Sequence, residues 1–169
     1  MTSLPRRARY VLFAALGLFA ALNVLQVFAF GAPFGDSAAL DLRMTGYTAG
    51  QARGFLEAIG EDGQRIFFGV FRWLDTLFPP LLAVSLVILF RHIRPRRNGV
   101  IIGLYALLPL AYLVADLTEN TFLKKLRIEE GFDIAVRFAN EATILKYSVL
   151  GVALLTLVIF WVLERGKTR

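Results

Sequence analysis

The 169-residue chain contains no cysteine and a single histidine, His92. The first absence excludes a disulfide framework, a thiol redox pair and a thiolate metal site. The second excludes a bis-histidine haem or any histidine-cluster metal centre built by one chain. There is no Gly-rich phosphate loop and no G-x-S-x-G elbow. With only four serines, nucleophilic hydrolysis has little to work with. No cofactor and no metal are expected.

What is plentiful is apolar sequence: 57% of residues are hydrophobic, with mean hydropathy +0.61. A soluble domain of this length rarely carries so much. The length suits one domain, 1–169. The net charge of +6 would suit nucleic acid, but its distribution assigns the excess to a membrane surface, and no nucleic acid is expected.

Four apolar runs each approach the roughly 20 residues that a bilayer core requires. The first, about 10–30, follows the basic tail Arg6, Arg7, Arg9. A basic start and an apolar run also describe a signal peptide, with Gly31-Ala32 near a cleavage site. The length of the run and its interruption by Asn23 and Gln26 favour an uncleaved helix. The second run, about 71–90, lies within a longer helix over 62–92. Pro79-Pro80 should kink or interrupt it and open a lined cavity near Asp75. The third run, about 99–119, belongs to a helix continuing towards Glu130, with Gly131 as its stop. The fourth, about 144–163, belongs to a helix starting at Ile134, capped by Asp133. Gly17/Ala21 and Gly99/Gly103 read as small-residue packing pairs.

Between the first two runs, Thr48 to Gly60 reads as a short amphipathic helix. Thr48 and Gln51 fit a capping box. Ala52, Phe55, Leu56 and Ile59 share one face. The helix covers the bundle or lies in the interface; a plain surface helix is the alternative.

The fold class is therefore all-α: an integral membrane four-helix bundle with an amphipathic helix in its first extracytoplasmic loop. Orientation follows from charge. The N-terminal tail, the Arg91–Arg97 turn and the C-terminal tail hold ten of the nineteen basic residues and one of the thirteen acids. Positive loops stay inside, which puts both termini in the cytoplasm. Arg91, Arg94, Arg96 and Arg97 determine topology and can hold anionic lipid.

Depth then singles out a site. Tyr112, Asp116, Glu119 and Asn120 share one helix face. Asp75, Asn23, Gln26 and Lys146 reach a similar outer level on the other three helices, with Glu141 and Tyr147 nearby. Ionisable groups at such depth are costly and suggest function by default. Lys146 is expected to pair with Asp116 or Asp75. The alternative is that Lys146 snorkels and the acids merely solvate helix ends.

The segments Gly46-Tyr47-Thr48, Leu56-Glu-Ala-Ile-Gly60, Gly63-Gln64-Arg65, Leu74-Asp75-Thr-Leu-Phe78-Pro79 and Asp116-Leu-Thr-Glu119-Asn120 resemble a group of small bacterial four-helix integral membrane proteins. The resemblance implies the architecture, a bacterial inner membrane and the interest of these positions. It carries no reaction.

Three functions fit. The first is a non-enzymatic component whose outward-facing polar pocket binds a lipid, a small molecule or a partner helix. The second is a small oligomeric or proton-coupled transporter. The third is an acid–base enzyme acting on a lipid, with Asp75, Asp116 or Glu119 as base. Homo-oligomers and membrane-protein partners both remain open.

Overall fold

The computed structural model describes residues 4–30, 39–93 and 99–166. The Gly31-Ala32 step and the turn residues Arg94, Arg96 and Arg97 lie outside them. All regular structure among the described residues is helical: α1 (Arg6–Phe30), α2 (Ala49–Ile66), α3 (Arg72–Ile93), α4 (Gly99–Lys125) and α5 (Phe132–Gly166). A 3₁₀ turn, Leu40–Leu42, precedes α2, and a π-helical turn, Phe67–Phe71, joins α2 to α3. The chain thus forms four long rods. Three stretches, Arg6–Phe30, Ala49–Ile93 and Phe132–Leu163, are long and apolar enough to cross a membrane. Their outer faces are apolar too: Phe28 is 85% exposed and Trp73 73%. A helix in water keeps its apolar residues on one buried stripe, so this exterior suits hydrocarbon.

Helix α2 begins on the expected capping box. The Gln51 amide donates to Thr48 Oγ1 at 3.3 Å, and the Thr48 amide donates to Gln51 Oε1 at 2.9 Å. Gly60 then breaks the helical path with φ +63 and ψ −174. Only glycine visits that region cheaply. The amphipathic segment thus ends where the sequence places its stop, and Phe55 and Leu56 are buried.

The expected break at Pro79-Pro80 is not found; α3 is continuous through both. The irregularity lies upstream, in the π-helical turn, where Gly69 departs from helical geometry (φ −97, ψ −113). Helix α4 stops at Lys125, short of Glu130. The amides of Leu126 and Ile128 close tight turns onto Leu123 and Lys125, and Leu126 is buried, so the chain turns inward instead of extending outward. Helix α5 starts at Phe132, ahead of Ile134. Phe132 is 3% exposed and lies in the core that the first turn must reach. Asp133 is consequently inside that turn and does not cap it. Among the described residues, nothing lies within 4 Å of where a Cβ would stand on Gly17 or Gly103, so neither glycine marks a close helix approach.

Helices α4 and α5 make the most extensive pairing. Ala135, Ala139 and Ala142 on α5 and Ala115 on α4 are buried, and small side chains let the two backbones approach. Helix α1 leans on α3 and stands off α5. Two apolar clusters close the ends. The one at the α2 end sets Phe30 edge-on to Phe55, Phe67 and Phe71, with ring centroids 5.3–5.9 Å apart, and stacks Phe67 on Phe71 at 6.0 Å. The inner one groups Phe90, Tyr105 and Phe160 with Leu86 and Leu157. The site lies between them.

Candidate functional site

The expected face of α4 points inward. Tyr112, Asp116, Glu119 and Asn120 are each at most 3% exposed. Opposite them Lys146 is 5% exposed, because the alanine seam of α5 brings it against α4. Its Nζ lies 3.2 Å from Asp116 Oδ1 and donates to Glu119 Oε2. Thr143, one turn earlier, donates to the other oxygen of Glu119. Asn120 Nδ2 donates to Asp116 Oδ2 at 3.2 Å. Lys146 therefore pairs with Asp116, as its depth suggests, and equally with Glu119; it is not paired with Asp75.

Asp75 has a different cation, which the sequence reading missed. Arg72, 1% exposed, donates from Nη1 to Asp75 Oδ2 at 3.0 Å and to Asn120 Oδ1. Its guanidinium lies 4.5 Å from the Phe67 ring centroid and 5.6 Å from that of Phe71. The π-helical turn supplies both rings, and a buried guanidinium facing aromatic rings gains cation–π attraction.

The second missed residue is Asp41. The connection before α2 dips into the bundle: Leu40 is fully buried and Asp41 is 2% exposed. Two bonds pin it to α5. Tyr147 donates its hydroxyl to the Asp41 carbonyl at 3.0 Å, and the Tyr47 amide donates to Asn140 Oδ1 at 2.7 Å. Gly46 (φ +90) passes so close to Asn140 that a Cβ would collide with that side chain. Asp41 Oδ2 lies 3.7 Å from Arg72 Nη1, and Oδ1 has no partner. Burial pushes the Asp41 carboxyl above the usual carboxylate range; Asp75 adds to the rise, and Arg72 and Lys146 oppose it.

The remaining candidates divide. Asn23 donates to the Phe19 carbonyl of its own helix at 2.7 Å. Gln26 is 2% exposed and its Nε2 has no partner. Glu141 is exposed and pairs with Arg137 at 3.1 Å, outside the network.

Beside this network lies a cavity of about 390 Å³ between α1, α3, α4 and α5. Asn23, Gln26, Asp41, Asp75, Tyr112, Asp116, Lys146 and Tyr147 line its outer end, and Ser85 is the one polar residue further in. The Ser85 hydroxyl donates to the Leu81 carbonyl. Glu119 and Asn120 do not line it. From Leu12 to Gln26 on α1, and from Asp75 to Leu89 on α3, the lining runs roughly 21 Å along the axis. A cavity of that volume and length suits a slender chain rather than a body the width of an α-helix. Leu16, Phe19 and Leu154 line it and are also exposed on the surface, so the slot opens sideways between α1 and α5.

No protein-family model, curated protein or solved structure matches the chain.

Proposed function

We propose that this is a four-span membrane protein of the bacterial inner membrane, with both termini cytoplasmic, that binds an amphiphile: the chain in the slot, the head at the polar layer. The observation that carries the reading is the asymmetry of the cavity, apolar along its length and polar at one end. Its sideways opening admits a chain directly from the bilayer. Of the occupants that the sequence leaves open, a partner helix is too wide, at about 10–12 Å across, and a compact polar molecule would leave the inner leucines without contacts. The charge asymmetry of the chain supports the orientation, and the basic turn around Arg91 would meet anionic lipid at the inner surface.

The transporter reading has less behind it. Among the described residues Phe90, Tyr105, Leu157 and Phe160 pack across the inner end, and a polar path would have to pass them. In the enzyme reading Asp75 or Asp116 is the base, since Glu119 does not reach the cavity.

Native mass spectrometry of the protein, purified from membranes in a gentle detergent, tests the proposal. An adduct of lipid mass is expected, and Ala15→Phe, which fills the bore from α1, should abolish it. Bare protein before and after the substitution would contradict the reading.

A further inference from the structure

The proposed slot leaves the head of its ligand unspecified, and the hydrogen bonds around the cavity define it. The network holds four buried carboxylates, Asp41, Asp75, Asp116 and Glu119, against two cations, Arg72 and Lys146. Fully ionised, it carries two more negative than positive charges. Lys146 is committed to Asp116 and Glu119; Arg72 pairs through Nη1 with Asp75 and Asn120, and its unpartnered Nε and Nη2 belong to a residue that does not line the cavity. Arg43 does not line this cavity; it lines a separate recess with Phe30, Gln51 and Phe55. An anionic head would deepen the excess in a medium that screens it poorly.

Two buried atoms on cavity-lining residues lack partners: the acceptor Asp41 Oδ1 and the donor Gln26 Nε2. A buried polar atom without a partner costs more than one hydrogen bond contributes. Such atoms are therefore where a ligand gains most, once the side chain of Asp41 or Gln26 turns its sealed atom into the cavity. Asp41 Oδ1 lacks a donor, best supplied by a positively charged N–H, which also favours the ionised carboxylate that burial opposes, and Gln26 Nε2 lacks an oxygen.

We infer that the slot takes an aminolipid, a single-chain or diacyl amphiphile whose head carries a primary ammonium for Asp41 and a neighbouring phosphate or ester oxygen for Gln26. The inference rests on the amphiphile reading of the slot. A quaternary ammonium carries the same charge but has no N–H to give Asp41. A glycerol head gives hydroxyl donors without charge. The primary ammonium alone meets both demands.

The test is thermal unfolding of the full chain in a steroid-based detergent too broad for the slot. Three lysophospholipids with one hexadecanoyl chain are titrated, bearing ethanolamine, choline or glycerol heads, alongside free phosphoethanolamine. The ethanolamine lipid should reach its half-maximal shift at about tenfold lower concentration than the other two, the value of one charge-assisted hydrogen bond. Asp41→Asn should bring the three lipids level. Gln26→Leu should weaken all three alike, because they share the phosphate and ester oxygens. Equal binding of the three by the unaltered protein, or preference for glycerol, overturns the aminolipid assignment and leaves the slot intact. Stabilisation by free phosphoethanolamine as strong as by its lipid keeps the head assignment and overturns the amphiphile reading. No response to any probe overturns both. Should Asp41→Asn fail to fold, the ranking in the unaltered protein decides alone.

Discussion

Lys146 and Arg72 are buried cations of one network, joined through Asn120 and Asp116, yet their surroundings differ. Lys146 meets two carboxylates whose other oxygens are taken by Thr143 and Asn120. The Tyr47 hydroxyl beside them has no hydrogen-bond partner among the described residues, but Tyr47 does not line the cavity. Arg72 hydrogen-bonds through Nη1 alone; among the described residues its Nε and Nη2 find no acceptor, and Asp41 Oδ1 beside it finds no donor. The contrast separates two roles. The Lys146 side is a completed clamp that ties α5 to α4. The Arg72 side is held from outside by Phe67 and Phe71 and leaves its acids to the cavity. A ligand gains most on the incomplete side.

The sharpest way to break this comparison is to remove each cation. Lys146→Met strands two carboxylates at once, Asp116 and the fully buried Glu119, which does not line the cavity, and should cost about 3–5 kcal/mol. Glu119→Gln combined with it should cost less than the two single changes summed. Chemical denaturation in detergent measures the cycle; small, additive effects would reduce the clamp to a coincidence of positions. Arg72→Met should cost less, about 1.5–3 kcal/mol, because Asp75 and Asp41 border a cavity that can admit water. A loss equal to that at Lys146 would remove the distinction between the two sides. The smallest effect belongs to the solvent-facing pair Arg53–Glu129, 3.0 Å apart with side chains 43% and 85% exposed. Glu129→Gln should change stability by less than about 1 kcal/mol and should matter least in high salt.

These residues also mark what could be read from the chain alone. Spacing places Tyr112, Asp116, Glu119 and Asn120 on one face, and depth brings Lys146 to their level; both are properties of a regular helix. Thr48 and Gln51 define a cap through local chemistry. Arg72 stands at the very start of the second apolar run, about 71–90, so it reads as a charge at the end of a span. Its burial depends on the π-helical turn and on rings gathered from α1 and α2. A position three residues before Asp75 was the available signal. Asp41 sits in a polar connection whose dip into the bundle is set by Asn140 and Tyr147, about a hundred positions later. The prolines mislead in the opposite way: lost hydrogen bonds predict a kink or an interruption at Pro79-Pro80, yet α3 runs through both, and the departures from helical φ/ψ fall at Gly60 and Gly69.

The central claim is a direction, with the head at Gln26, Asp75 and Tyr147 and the chain running towards Leu12 and Leu89. Two photoreactive phosphatidylethanolamines, with a diazirine near the headgroup or at the chain terminus, test it directly. After irradiation in bilayers and peptide mapping, the first should label the α1 segment around Gln26 and the α5 segment around Tyr147. The second should label the segments around Leu12 and Leu89. The same labels from both probes, spread over outward-facing residues such as Phe28, Leu155 and Val162, would contradict the slot.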